Sequence, residues 1–212
     1  MSEQIEGKDI SLWVATTDKT NYPKLENDNT VYDAAVVGGG ITGVVTAYLM
    51  QQKGLKVVLV EKANIVEWTT GGTTAKLSSQ HYLIYDYLIQ RHGKDAASAY
   101  ARANQDGIDD IERLGKELGI ASDFERKNAY VFSGLGDKTE AIKAEVEAAK
   151  QLGLPASFEK SVDLPFEVKT AIKFADQAQF HPRKFLLPLA EQFVKNGGVI
   201  YEQTEAMDIQ PG

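Results

Sequence analysis

Apolar residues in this chain gather in two patterns, short unbroken runs and runs spaced three and four apart. Residues 33–37 (DAAVV) and 55–60 (LKVVLV) are of strand length and largely unbroken, the pattern of strands buried on both faces. Between them Ile41, Val44, Val45, Tyr48 and Leu49 stand at i, i+3, i+4, i+7 and i+8, one apolar stripe of a helix. Gly54 follows where a helix takes its left-handed C-terminal residue. Residues 33–61 therefore predict strand, glycine turn, helix, strand.

The same reading extends down the chain. Residues 82–120 read as helical, with Ile108, Ile111, Leu114 and Leu118 on one side and interruptions at Gly93 and Gly107 that predict two or three helices. FERKNAYVFS (124–133) predicts a strand. Asp137 with Glu140 resembles a capping box before a helix that carries Ile142, Val146, Ala149 and Leu152 and stops at Gly153. VKTAIKFADQAQF (168–180) alternates as a further strand. Pro182 suits a first helical position, Phe185, Leu186, Leu189 and Phe193 form an apolar face, and Gly197-Gly198 stop that helix before VIYEQ (199–203), a candidate third parallel strand. AMDIQPG (206–212) starts another strand. The first 30 residues form a polar, extended lead whose Trp13 packs on the domain.

The turn between the first strand and helix, VVGGGITG (36–43), holds four glycines within six positions. Read as G-x-G-x-x-G, Gly38 permits the tight turn, Gly40 leaves room for a pyrophosphate against the main chain, and Gly43 lets the helix pack closely on the strands. The helix N-terminus at Ile41, Thr42 and Gly43 then offers N–H groups and a partial positive charge to phosphates. Glu61, 18 residues beyond Gly43, ends the second strand where ribose hydroxyls would donate to it. A plain βαβ unit with a tight turn and a solvated acid is the alternative. The loop TTGGTTAKLSSQH (69–81) offers hydroxyls and main-chain N–H groups either to a cofactor or to helix capping. The element order predicts an α/β fold. A lead (1–30) precedes the first part of a Rossmann-like nucleotide-binding domain (31–81), an α+β insertion (82–180) and the second part of the domain (181–212).

Composition narrows the chemistry. A net charge of -7 with no basic run excludes a general nucleic-acid surface. With no cysteine, these residues supply no disulfide, thiolate metal site, iron–sulfur cluster or cysteine-linked flavin. His81, His92 and His181 share no metal-ligand spacing, so no metal site is expected. His81 and His181 read as helix-capping or packing residues, and Lys76 as a solvent-facing lysine. No residue is assigned as catalytic. The absence of a signal-like N-terminus and of a long apolar run predicts a cytoplasmic protein without a membrane span.

Three segments together, SLWVATTDKTNYPKLENDNTVYDAAVVGGGITGVVTAYLMQQKGLKVVLVEK, TTGGTTAKLSSQH and FHPRKFLLPLAEQFVKNGGVIYEQT, resemble the FAD-dependent oxidoreductases of the D-amino-acid oxidase and glycine oxidase type. Within that family they look most like the subgroup whose flavin domain precedes a Rieske iron–sulfur domain. The resemblance implies an FAD site split along the sequence by an inserted substrate domain. It assigns Gly38, Gly40 and Gly43, with Ile41 and Thr42, to the diphosphate, Glu61 to the adenosine ribose and Lys62 to a lesser contact. Thr73, Thr74, Ala75 and Lys76 would follow the diphosphate, ribityl chain or isoalloxazine edge, and Ala206 would meet the adenine through its main chain. The implied reaction is oxidation of a C–N bond in a small-molecule amine or amino acid by hydride transfer to the flavin, with electrons leaving to oxygen or an iron–sulfur domain. The resemblance further implies that the chain is a truncated, N-terminal portion with an incomplete sheet, any Rieske 2Fe-2S ligands lying in the missing region. An NAD(P)-dependent dehydrogenase and an inert nucleotide-binding or electron-transfer scaffold are the competing readings.

Overall fold

The structure, a computed structural model, describes residues 7, 9–26 and 29–210. The element order begins α1 (Leu12–Ala15), β1 (Ala34–Val37), α2 (Ile41–Gln52), β2 (Val57–Val60), α3 (Trp68–Gly71), β3 (Lys76–Leu77) and α4 (Tyr85–Glu117). It continues β4 (Glu125–Ser133), α5 (Thr139–Gln151), β5 (Ala156–Glu159), β6 (Thr170–Gln179), α6 (Pro182–Lys195) and β7 (Val199–Tyr201). Two compact units result, one of Met1–Thr74, Ile120–Ser122 and His181–Gly212, the other of Ala75–Gly119 and Asp123–Phe180. Among the described residues no helix is long and apolar enough to cross a membrane.

The first unit is built on a parallel sheet in the order β1-β2-β7. Ala34 pairs with Val57, and Val58 pairs with Val199, so β7 joins β2 as the sequence pattern predicts. Central β2 is buried at Val57, Val58 and Leu59, the expected unbroken apolar run. β1 departs from that expectation: it is an edge strand whose burial alternates, and Val37 is 58% exposed. Helix α2 buries Gly43, Val44, Ala47 and Tyr48 rather than the full predicted stripe, and Leu49 turns outward. The close fit at Gly43 rotates the buried face toward the small residues. Helix α6 has Pro182 at its start and buries Phe185, Leu186, Leu189 and Phe193 as expected. His181 is its N-cap, with Nδ1 accepting from the Lys184 N–H at 3.2 Å.

The second unit is an antiparallel sheet, β3-β6-β4, with β5 also on β6. Its core gathers Tyr85, Ile142, Val146, Ile172 and Phe174. Two local expectations change here, the interruption at Gly107 and the cap at Asp137, while the count of two helical segments stays within the two or three expected. Gly93, at φ +82, breaks the long helix, but Gly107 sits inside it without a break, so the stretch is two helical segments. Asp137 does not cap α5; its Oδ1 accepts the Ser133 hydroxyl at 2.8 Å, and the N-cap is Lys138 with no side-chain bond. β5 carries no alternation long enough to signal itself. In the first unit, the strand expected from residue 206 is absent over 206–210, and the final two residues of that expectation lie outside the described ones. The lead is likewise not wholly extended, since Leu12–Ala15 close one helical turn with Ser11 as cap.

Candidate nucleotide-binding site

Two steric facts explain the glycine spacing. A Cβ on Gly43 would run into the carbonyl oxygen of Gly38, so the start of α2 can lie against the end of β1 only with glycine there. Gly38 itself stands at φ +101, a conformation other residues resist, and its N–H donates to Val60 O at 2.8 Å. Gly40 is different. A Cβ there would meet only the Thr70 hydroxyl, at 3.2 Å, and would otherwise project into space.

That space belongs to a cavity of about 360 Å³ lined by Gly39, Gly40, Glu61, Lys62, Trp68 and Thr70 among others. It lies toward the small end of small-ligand pockets, which run from about 300 to 1,000 Å³. Gly40 is the N-cap of the 12-residue α2 and makes no side-chain cap. Among the described residues the N–H groups of Gly40, Thr42 and Gly43 have no hydrogen-bond partner, and the aligned peptide dipoles add partial positive charge there. The turn is not wholly bare, however. Gly39 N–H donates to Glu61 Oε2 at 2.7 Å, and Ile41 N–H donates to the Thr70 hydroxyl at 3.1 Å.

Glu61 is therefore held toward the turn from the end of β2. Its Oε1 also accepts the Ala63 N–H at 2.9 Å, which fixes both oxygens by main chain. A carboxylate offers about four acceptor positions, so two such bonds leave capacity for donors such as ribose hydroxyls. Thr70, buried and accepting from the helix start, keeps its own proton to donate. The sequence reading missed Thr70 as a site residue, although it is the second residue of the hydroxyl-rich loop 69–81.

The other expected contacts are not brought to this cavity. Thr73 and Thr74 are exposed, and the Thr73 carbonyl accepts the Trp13 indole N–H at 2.7 Å. Ala75, at φ +58, and Lys76 belong to the second unit, where Lys76 pairs with Gln179. Ala206 is exposed in irregular chain after β7. His81 is exposed, with Nε2 3.1 Å from Asn104 Oδ1, and His92 lies edge-on to Tyr87.

The wall beside the turn was invisible to pattern reading. Val66 stands at φ +58, a conformation costing on the order of 1–3 kcal/mol for a β-branched residue, and its N–H donates to Gly39 O at 2.8 Å. Fully buried Arg183 donates to Val66 O at 2.9 Å. Burial lowers the Arg183 guanidinium from its usual range, opposed by the negative charges of Glu67 and Glu202. Tyr22 is raised by burial and then by Glu191 and Glu202.

Residues 33–212 match the family of FAD dependent oxidoreductases known as DAO. The chain belongs to that family. Among similar proteins, YhfW of Bacillus subtilis strain 168, which carries a provisional Rieske 2Fe-2S iron–sulfur name, is 39% identical over 202 residues, 95% of this chain and 40% of the relative. The gamma-glutamylputrescine oxidoreductase of Escherichia coli K12 is 25% identical over 87% of this chain and 44% of its own length. Glycine oxidase from Bacillus cereus ATCC 14579 shares the fold, with a TM-score of 0.67 at 22% identity over 86% of this chain and 50% of that one. The chain thus spans about half or less of the length of these three proteins.

Proposed function

We propose that the first unit holds the adenosine diphosphate end of FAD, and that the protein oxidises a C–N bond of an amine or amino acid. The observation that carries this reading is the pairing of unpartnered N–H groups at Gly40, Thr42 and Gly43 with a Glu61 carboxylate anchored beside the same cavity. The residues present suit the cofactor: Gly40 faces open space that a larger side chain would fill, and Gly43 can carry no side chain at all. When bound, FAD supplies the two-electron acceptor.

The chain's own residues bind and orient. The N–H groups opening α2 receive the diphosphate oxygens, with the Thr70 hydroxyl as a further donor. Glu61 accepts from the ribose, and Lys62, which lines the cavity, adds a lesser charged contact. Thr73, Thr74, Ala75 and Lys76 belong to the reading as contacts to the rest of the cofactor, whereas nothing in the surroundings of Ala206 supports its adenine contact. Residues 82–180 are read as the substrate-type insertion between the two parts of the FAD domain, residues 31–81 and 181–212. Relatives named for gamma-glutamylputrescine and glycine support a small-molecule amine or amino-acid substrate. Oxygen or an iron–sulfur domain is the electron acceptor in this reading, and the Rieske name of YhfW supports the latter.

Titrating FAD, ADP and NADPH into the chain tests the assignment. Quenching of flavin fluorescence and a measurable ADP affinity are expected, with both lost in Gly43→Ala. Binding of NADPH in preference to FAD and ADP, or of none of the three, would overturn it.

A further inference from the structure

We propose that residues 16–22 form a strap that positions the wall of the nucleotide cavity through two buried charged residues, Arg183 and Glu202. The inference rests on the nucleotide-binding reading above. Arg183 is fully buried and Glu202 is 1% exposed, yet among the described residues no salt bridge joins either to an opposite charge. Each instead reaches in two directions. Arg183 donates from Nε to the Thr17 hydroxyl at 2.6 Å and from Nη2 to Asp18 O at 2.7 Å, both on the strap. Its Nη1 donates to Val66 O, on the cavity wall, at 2.9 Å.

Glu202 repeats the arrangement with the opposite charge. On the strap side it accepts the Thr20 hydroxyl, and its Oε2 accepts the Tyr22 N–H at 3.0 Å. On the wall side Oε2 accepts Asn64 Nδ2 at 3.0 Å and Oε1 accepts the Ile65 N–H at 2.8 Å. Asn64 and Val66 both line the cavity, so three consecutive residues, the outer two of them on the wall, are tied to one strap by two side chains.

The arrangement continues to the nucleotide-binding groups. Val66 N–H donates to Gly39 O, and Gly39 N–H donates to Glu61 Oε2. A hydrogen-bonded path therefore runs from Thr17 through Arg183, Val66 and Gly39 to the acid assigned to the ribose. Apolar side chains of similar volume would fill the same interior without the desolvation of two charges. What the charged pair adds is direction: it fixes main-chain carbonyl and N–H orientations at Ile65 and Val66, the latter in a conformation its own side chain resists. Arg183 and Glu202 are accordingly positioning residues, and the strap is the element that holds them.

The test uses the full chain with ADP as probe, read by calorimetric titration. Thr17→Val and Thr20→Val keep volume and remove the hydroxyls that meet Arg183 and Glu202. Each should weaken ADP about tenfold, and Thr17→Ser and Thr20→Ser should restore binding to within about twofold. Valine variants that bind ADP as the unaltered chain does, or serine variants as weak as the valine ones, overturn the strap. In the unaltered chain, ADP should slow hydrogen exchange of the Tyr22 amide, because coupling between two sites is reciprocal. Unchanged exchange overturns the proposal even if a valine variant fails to fold. If the unaltered chain binds neither ADP nor FAD, the nucleotide-binding reading fails and the strap with it; normal binding with indifferent variants sinks the strap alone.

Discussion

Among the described residues each unit buries one glutamate against main-chain N–H groups, and the donors these two glutamates collect are arranged differently. In the second unit Glu145, fully buried on α5, accepts from the N–H groups of Ile84, Tyr85 and Asp86 at 2.7–2.9 Å. These are consecutive donors at the start of α4, whose own N-cap, Ile84, has no side chain able to serve. Glu145 is a cap lent by a neighbouring helix. In the first unit Glu202 collects donors from two segments far apart in sequence, near residues 20 and 65. The same chemistry completes one helix in the first case and ties a strap to a cavity wall in the second. Stability should follow both, but ligand affinity only the latter.

Removing Arg183 should have the largest effect, and it should be confined to the first unit. Arg183→Leu leaves the buried Val66 O, the part-buried Asp18 O and the Thr17 hydroxyl without their donor, at a cost of about 3 kcal/mol. Both tryptophans, Trp13 and Trp68, lie in the first unit, so urea unfolding followed by tryptophan fluorescence reports that loss directly. An unchanged midpoint would contradict the assignment of those bonds. Glu145→Ala is next, at about 2–3 kcal/mol for three abandoned N–H groups, seen by far-ultraviolet circular dichroism. ADP affinity should be unchanged in this variant, and a loss matching that of the strap variants would erase the contrast.

The two glycines of α4 sharpen the picture inside the second unit. Gly93→Ala forces a side chain into φ +82 and should cost about 1 kcal/mol, whereas Gly107→Ala, helical and facing open space, should gain up to about 1 kcal/mol. Thermal midpoints moving in opposite directions would establish that only Gly93 marks a break.

The smallest effect concerns pH. Hydrogen bonds from Lys116 and then Arg126 hold the Glu112 carboxyl below its usual range. A carboxyl lowered on folding contributes stability above its unfolded value and loses it as pH falls through the folded one. The advantage of the parent chain over Glu112→Gln should therefore be present at neutral pH and fade below about pH 4. An advantage that persisted at pH 2 would assign the stabilisation to something other than this carboxylate.

Features written within a few residues of themselves were legible in the sequence. The strand–turn–helix–strand of 33–61, the roles of Gly38 and Gly43, the strand at 125–133 and the helix opening at Pro182 follow from periodicity and local turn chemistry. Local signals misled where a competing partner stood nearby. Asp137 takes the Ser133 hydroxyl rather than capping α5, and Gly107 is carried by the helix on either side of it. Val37 belongs to an apolar run, yet it lies on the face of β1 that it shares with exposed Ala35, and so is itself exposed.

The sequence by itself determined the glycine turn and the strand, helix and strand that flank it, because hydrophobic period and glycine sterics act between neighbours. Tertiary structure alone decided that Glu61 is pinned to Gly39, that Thr70 meets the first turn of α2, and that Arg183 and Glu202 serve strap and wall together. The reason is physical: a buried charge takes whatever main-chain groups the fold brings to it. Those partners lie up to 182 residues away, where no local pattern can announce them.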